Sequence, residues 1–316
     1  MKPSPLAGVE DAARQARDDA NAAALASGIS IRELTHADEH HAVQDLLARV
    51  WSADRDQSPL PAHVTRTLSL IGGYVAGAYD SDGELLGAAA GFLTDDTADL
   101  GPAHLHSHIT GVVPAARSRH VGFALKLHQR AWALSRGITQ VTWTFDPLVA
   151  RNAYFNLVKL GARAAGYLAD FYGAMDDGIN TGQGSDRLLA QWDLSSPSVV
   201  TAIRGPRPHL DLAGLTGAGQ LLLRPGPAGA PQRLAGDFRG PVACAIPADI
   251  ERMRRDDPQV ARDWRQAVRA VLGRAMEAGY HITDFARSGC YLLQPGPASR
   301  PAGGGGMHDL RQEADR

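Results

Sequence analysis

Cysteine is scarce in this chain. The two residues present among 316, Cys244 and Cys290, lie far apart and form no C-x-x-C pair. That scarcity excludes a disulfide framework and a zinc knuckle, and it suits a reducing compartment. Charge of one sign is lacking as well: 32 basic and 34 acidic residues leave a net charge of -2, with no block of like charge. The electrostatic footprint of a nucleic-acid binder is therefore missing, and a small-molecule or peptide substrate fits better. No apolar run approaches the ~20 residues that a membrane span needs. Residues 1–28 carry one early lysine, acidic residues and an alanine run in place of the compact apolar segment of a signal peptide. These absences predict a cytoplasmic protein with neither a membrane nor a nucleic acid as partner.

What is present is a chain long enough for two folded units, with 44% hydrophobic residues. Residues 1–27 read as a flexible segment, because the apolar side of an alanine-rich helix over 9–26 buries little area. The tail 295–316, with Pro295, Pro297, Pro301 and a glycine run at 303–306, reads as disordered. Between these ends, strand and helix periods alternate. Strands are expected at 29–34, 74–79, 85–93, 104–113, 138–145 and 187–194, and helices from Asp38, at 61–70, 121–135 and 151–160. Ser81-Asp82-Gly83 supplies a hairpin turn. This order predicts an α/β unit over 28–195, a mixed central β-sheet flanked by helices. The Pro/Gly-rich stretch 196–219 reads as a linker to a smaller C-terminal α+β unit over 220–294, whose clearest element is a helix at 258–278.

Chemistry concentrates in one segment. A strand ending at Val113-Pro114 runs through Ala-Ala-Arg117-Ser-Arg119-His120 into Val121-Gly122-Phe123-Ala124, the start of a helix. Backbone N–H groups at such a start carry partial positive charge and suit a pyrophosphate; glycine permits close approach, and the arginines add charge. This loop resembles the acyl-CoA loop of the GNAT superfamily, Q/R-x-x-G-x-G/A. Two registers fit: Arg117-x-x-His120-x-Gly122 by spacing from Val113-Pro114, and Arg119-x-x-Gly122-x-Ala124 by residue type. Farther on, Asn152-Ala-Tyr-Phe155-Asn-Leu-Val-Lys-Leu-Gly161 is similar to the family's second signature, in which an Asn opens a short helix against the pantetheine arm. The phrases Leu105-His-Ser-His, Trp143-Thr-Phe-Asp-Pro147 and Arg151-Asn-Ala resemble a bacterial branch with an added C-terminal segment.

The resemblance implies a GNAT-like fold and transfer of an acetyl or related acyl group from an acyl-CoA co-substrate to a small-molecule amine, possibly an amino acid; a homodimer is compatible with it. Leu157 stands where many family members place a tyrosine general acid, and Tyr154 lies one turn away. The transfer needs a base for the amine, a carbonyl-polarising donor and a proton for the thiolate. His104, His106 and His108 alternate along one strand, so all three are expected on one face, with His106 or His108 as base or substrate contact. Asp146 is a candidate for orienting the amine, or a turn former before Pro147. Residues 170–173, with Tyr172, and the loop 180–187 read as a lid over the acceptor, Arg187 pairing with a carboxylate through its planar fork. Two rival readings remain at this level: a non-catalytic acyl-CoA binder, and a metal-dependent hydrolase. Histidines four apart on a strand lie ~13 Å from one another, so at most two of the three could share an ion, and no metal ligand is assigned.

Overall fold

The computed structural model describes residues 5–51, 57–95, 103–173, 184–205, 220–236 and 238–296. Its larger sheet contains β1 (Ser30–Glu33), β2 (Tyr74–Tyr79), β3 (Leu85–Leu93), β4 (Leu105–Val112), β5 (Gln140–Phe145), β6 (Arg163–Leu168) and β7 (Arg187–Asp193). They lie in the order β1-β2-β3-β4-β5-β7-β6. Only the β4–β5 pair is parallel, so the sheet is mixed, as the alternation of periods predicts. The β2–β3 hairpin closes on Asp80, whose carboxylate accepts from the Asp82 and Glu84 N–H groups. Gly83 supplies the φ of +85° that this turn requires.

Alternation along β2 explains the layers. Val75 packs under α2 (Ala37–Val50) and α3 (Ala62–Leu70) with Leu46, Leu47 and Leu68. Tyr74 and Ala76 face the opposite layer, formed by α1 (Pro5–Ala26) and α4 (Val121–Ser135). The expectation of a flexible N-terminal segment is corrected here. Helix α1 lies along α4 with Ala16 and Ala20 buried. Small side chains bury little area each, but they let two helix backbones approach closely. Asp19 then bridges Arg130 of α4, which is 1% exposed, and Arg204. Replacing Asp19 with alanine leaves Arg130 buried without its carboxylate; a loss of about 3 kcal/mol is expected, read from urea unfolding.

After α5 (Ala150–Ala153), the chain makes a wide π-helical turn over Tyr154–Lys159. Gly161 follows at φ +68°, where a Cβ would stand 2.8 Å from that of Ala202. The expected linker begins as a helix, α6 (Pro197–Arg204), capped by Ser196; residues 206–219 lie outside the described residues.

The C-terminal part holds β8 (Gln220–Pro225), β9 (Pro231–Arg233), β10 (Val242–Ala245), α7 (Ile250–Asp256), α8 (Pro258–Val268), β11 (Tyr280–Ala286) and β12 (Cys290–Pro295). Its five strands run β11-β12-β10-β8-β9. Helix α8 carries on through a π turn, Arg269–Gly273, to Glu277. A single apolar cluster joins this part to the first: Trp143, Phe145 and Leu148 pack in it with Trp264, Val268 and Tyr291. There are two sheets and one continuous core, so residue 195 does not separate two independent cores. The expected disordered tail lies, from residue 297, outside the described residues.

Candidate functional site

Strands β4 and β5 pair at Leu105↔Val141 and His106↔Thr142. Beyond that point β4 continues to Val112 bonded only to β3, and β5 to Phe145 bonded only to β7. The two strands fork, and their facing backbone edges are left without each other. On the β3 side Ala90 opposes Ile109 and Phe92 opposes His106, so Gly91 faces two residues, Ser107 and His108. This bulge lies at the apex of the fork.

The loop leaving β4 crosses the mouth of the fork. Val113 donates its N–H to the Leu86 carbonyl and opens a 3-10 turn over Pro114–Arg119. His120 takes a left-handed conformation, φ 60°, which turns the chain into α4. Phe123 and Ala124 make the first bonds back to the His120 carbonyl. The N–H groups of Val121 and Gly122 precede those bonds and project from the helix start. At Gly122 a Cβ would meet only Val112, at 3.7 Å, so packing does not demand glycine there. Arg117 is exposed beside this turn. The Arg119 guanidinium instead donates to the Ser27 and Gly28 carbonyls; its side chain pins the α1–β1 turn and is corrected from a cofactor contact to a structural one. Of the two registers, the one beginning at Arg117 keeps its arginine free of that task.

The second signature borders the same fork. Asn152 sits half-buried in the first turn after β5, and the Phe155 ring meets that of Phe123 edge-on at 6.5 Å between centroids. The two motifs, about thirty residues apart in sequence, are thus in contact. Leu157 is buried, and Tyr154 lies beneath the Arg287 guanidinium of the C-terminal part.

His104 and His106 share a face, as alternation predicts. The Thr142 hydroxyl links them, 3.0 Å from His104 Nε2 and 3.0 Å from His106 Nδ1. His104 is fully committed, since Nδ1 meets the Thr94 hydroxyl. Burial, and then His108, His104 and Lys126, lower the His106 pKa to about 4, so its ring is neutral at pH 7. Burial also lowers His108, whose ring meets Phe92 edge-on. Among the described residues no group of three His, Cys, Asp or Glu could hold a metal ion.

On the His106 face, Thr144 follows Thr142, and its hydroxyl lies 3.1 Å from the Tyr172 hydroxyl. The Arg187 guanidinium stands 5.2 Å over the Tyr172 ring. Tyr172 and Arg187 are therefore brought together beside β5. The 170–173 turn is held by Ser185, whose hydroxyl donates to the Gly173 carbonyl and whose N–H reaches the Asp170 carboxylate. Residues 180–183 of the expected lid lie outside the described residues.

Asp146 is a correction. It is buried, and Arg265 grips both of its oxygens at 2.7 Å while Arg254 donates at 2.6 Å. The Leu148 N–H adds a fourth bond. Burial opposes ionisation, but Arg265 and Arg254 overcome it and hold the carboxyl well below the usual carboxylate range. Asp146 fastens the end of β5 to α7 and α8 and faces no acceptor. Sequence reasoning also missed Lys126, Ser107 and Trp143, which meet at the fork. The signal was compositional: Lys126 is one of three lysines in a chain whose other basic residues are arginine.

No protein-family model matches the chain, and no curated protein does. Solved structures do. A GNAT-family acetyltransferase from Streptococcus pneumoniae is similar over 52% of this chain and 98% of its own, at 15% identity and a TM-score of 0.42. The ribosomal-protein-S18-alanine N-acetyltransferase from Escherichia coli is similar over 53% and 95%, at 15% identity and 0.41. A GNAT superfamily phosphinothricin acetyltransferase from Sinorhizobium meliloti, solved in complex with AcCoA, is similar over 52% and 87%, at 15% identity and 0.42. In the described residues no helix is long and apolar enough to cross a membrane.

Proposed function

We propose that the protein transfers an acyl group from a coenzyme A thioester to an amine of a small molecule. The observation that carries this reading is the fork between β4 and β5, with the start of α4 at its mouth. The N–H groups of Val121 and Gly122, aided by Arg117, suit a pyrophosphate. The unpaired edges of β4 and β5 offer backbone donors and acceptors to an amide-bearing arm such as pantetheine. Phe123, Asn152 and Phe155 border that arm, and the thioester reaches the apex. The acceptor amine approaches from the His106 face. A carboxylate on it would find Arg187, which favours an amino acid. The neutral amine attacks the thioester carbonyl directly, without a covalent enzyme intermediate. His106, a weak base at neutral pH, positions the amine and passes its proton on to water.

Thermal unfolding with coenzyme A and acetyl-CoA tests the reading. A ligand at about 100 times its Kd adds about 2.7 kcal/mol, a rise of several degrees. Gly122→Trp should keep the unliganded melting temperature, because the position is open, and abolish the rise. No rise in the wild type with any thioester overturns the proposal.

A further inference from the structure

Lys126 is an unusual group in this fold. Its side chain is 5% exposed, and its ammonium donates to the Ser107 hydroxyl at 2.7 Å and to Gln129 Oε1 at 3.2 Å. It lies 4.0 Å from the centroid of the Trp143 ring. No carboxylate pairs with it among its printed partners, which are two neutral side chains and a ring. Ser107 and Trp143 are the first residues on β4 and β5 past the last β4–β5 pair. The amine therefore sits in the crotch of the fork, on the face opposite His106.

Such placement is costly. An unpaired ammonium in a buried site favours the neutral amine, and burial lowers this group to about 7. A tightly packed helix face would be more stable with an aliphatic residue there. Arginine, which this chain otherwise prefers, cannot release a proton near neutrality, whereas lysine can.

Resting on the acyltransferase reading, we propose that Lys126 supplies the proton that converts the departing thiolate of coenzyme A to its thiol, with Ser107 as the relay. The amine nitrogen forms its bond to the acyl carbon, and the carbon–sulfur bond breaks with its electron pair going to sulfur. Ser107 gives its hydroxyl proton to sulfur and takes one from the Lys126 ammonium. The proton lost by the acceptor nitrogen leaves on the His106 face to water, and Lys126 regains one from solvent when the products depart. Donation is downhill, because an ordinary thiol has a pKa of about 8.5, above that of the lysine. The relay also accounts for Leu157: with the acid placed under the fork, the π-helical turn need not carry one.

Two measurements test this. In protein carrying isotopically labelled lysine, only Lys2, Lys126 and Lys159 give signals. Coenzyme A should raise the pH at which Lys126 titrates, because a thiolate beside it favours the ammonium, while desulfo-coenzyme A should bind without that effect. If both bind and move the Lys126 signal alike, the proton-donor role is wrong and the cofactor site stands; if neither binds, the acyltransferase reading falls and this one with it. In turnover, Lys126→Met should lower kcat about 100-fold with KM for the thioester unchanged, and Lys126→Arg should not restore it. Wild-type kcat should fall as pH rises through about 7, and the Met variant should lack that limb. A Met variant with wild-type kcat overturns the proposal.

Discussion

Asp146→Ala should cost the fold about 3–5 kcal/mol, because it leaves the buried guanidinium of Arg265 without its counter-charge and weakens the anchorage of Arg254. The carboxyl of Asp146 is 9% exposed and Arg265 4%, so water cannot replace the lost partner. Urea unfolding measures the effect. A second substitution checks its origin: Arg265→Met on the Asp146→Ala background should recover part of the loss, since removing both charges restores a neutral interior. The pH dependence has a definite sign. The folded-state pKa of Asp146 is depressed, so its contribution is fully present above the ordinary carboxylate range and fades only as pH falls through the lower native value. Should Asp146→Ala instead remain fully stable while losing activity, the ion cluster is not the anchor inferred here.

Lys126→Met should stabilise the protein at neutral pH by about 2–4 kcal/mol, since lysine there titrates about three units below its ordinary value and each unit corresponds to about 1.4 kcal/mol. The wild type carries the signature of that penalty. The unfolded chain binds the lysine proton up to about 10.5 and the folded one only up to about 7, so wild-type stability rises with pH across that window. Denaturant midpoints at pH 7 and pH 9.5 should differ for the wild type and draw together for Lys126→Met. A variant less stable than the wild type at pH 7 would mean that the Trp143 and Ser107 contacts outweigh desolvation. Stability gained together with activity lost is the pattern of a functional group kept at a thermodynamic loss.

The parts of this fold legible in the sequence are those fixed by local chemistry. The hairpin 74–79/85–93 and the helix 121–135 appear at the boundaries that period and turn residues predict. Strand β6 was missed: Arg163-Ala-Ala-Gly-Tyr-Leu168 has little β-branched character, and its pairing with β7 shifts register between Ala164 and Gly166. Helix α7 was missed because Arg252, Arg254 and Arg255 hide its single buried apolar residue, Ile250. The site was legible as a loop and a short helix, since both motifs are continuous in sequence. Its electrostatics were not. Asp146 reads as a turn residue because its partners lie 108 and 119 residues away. Lys126, Gln129 and Arg130 read as a solvated face because the helix that buries them from outside, α1, is built of alanines whose packing a hydrophobicity count undervalues.

The fork also has an unsupported limb. Past Thr142, β5 leans on β7 alone, and its end is moored at Asp146 and Pro147, whose carbonyl accepts from Tyr291. Those moorings belong to residues 254, 265 and 291, so the aperture between β4 and β5 is gauged from outside the sheet that contains it. Substitutions on α7, α8 or β12 can therefore tune which acyl chains pass the mouth while every residue lining it stays unchanged.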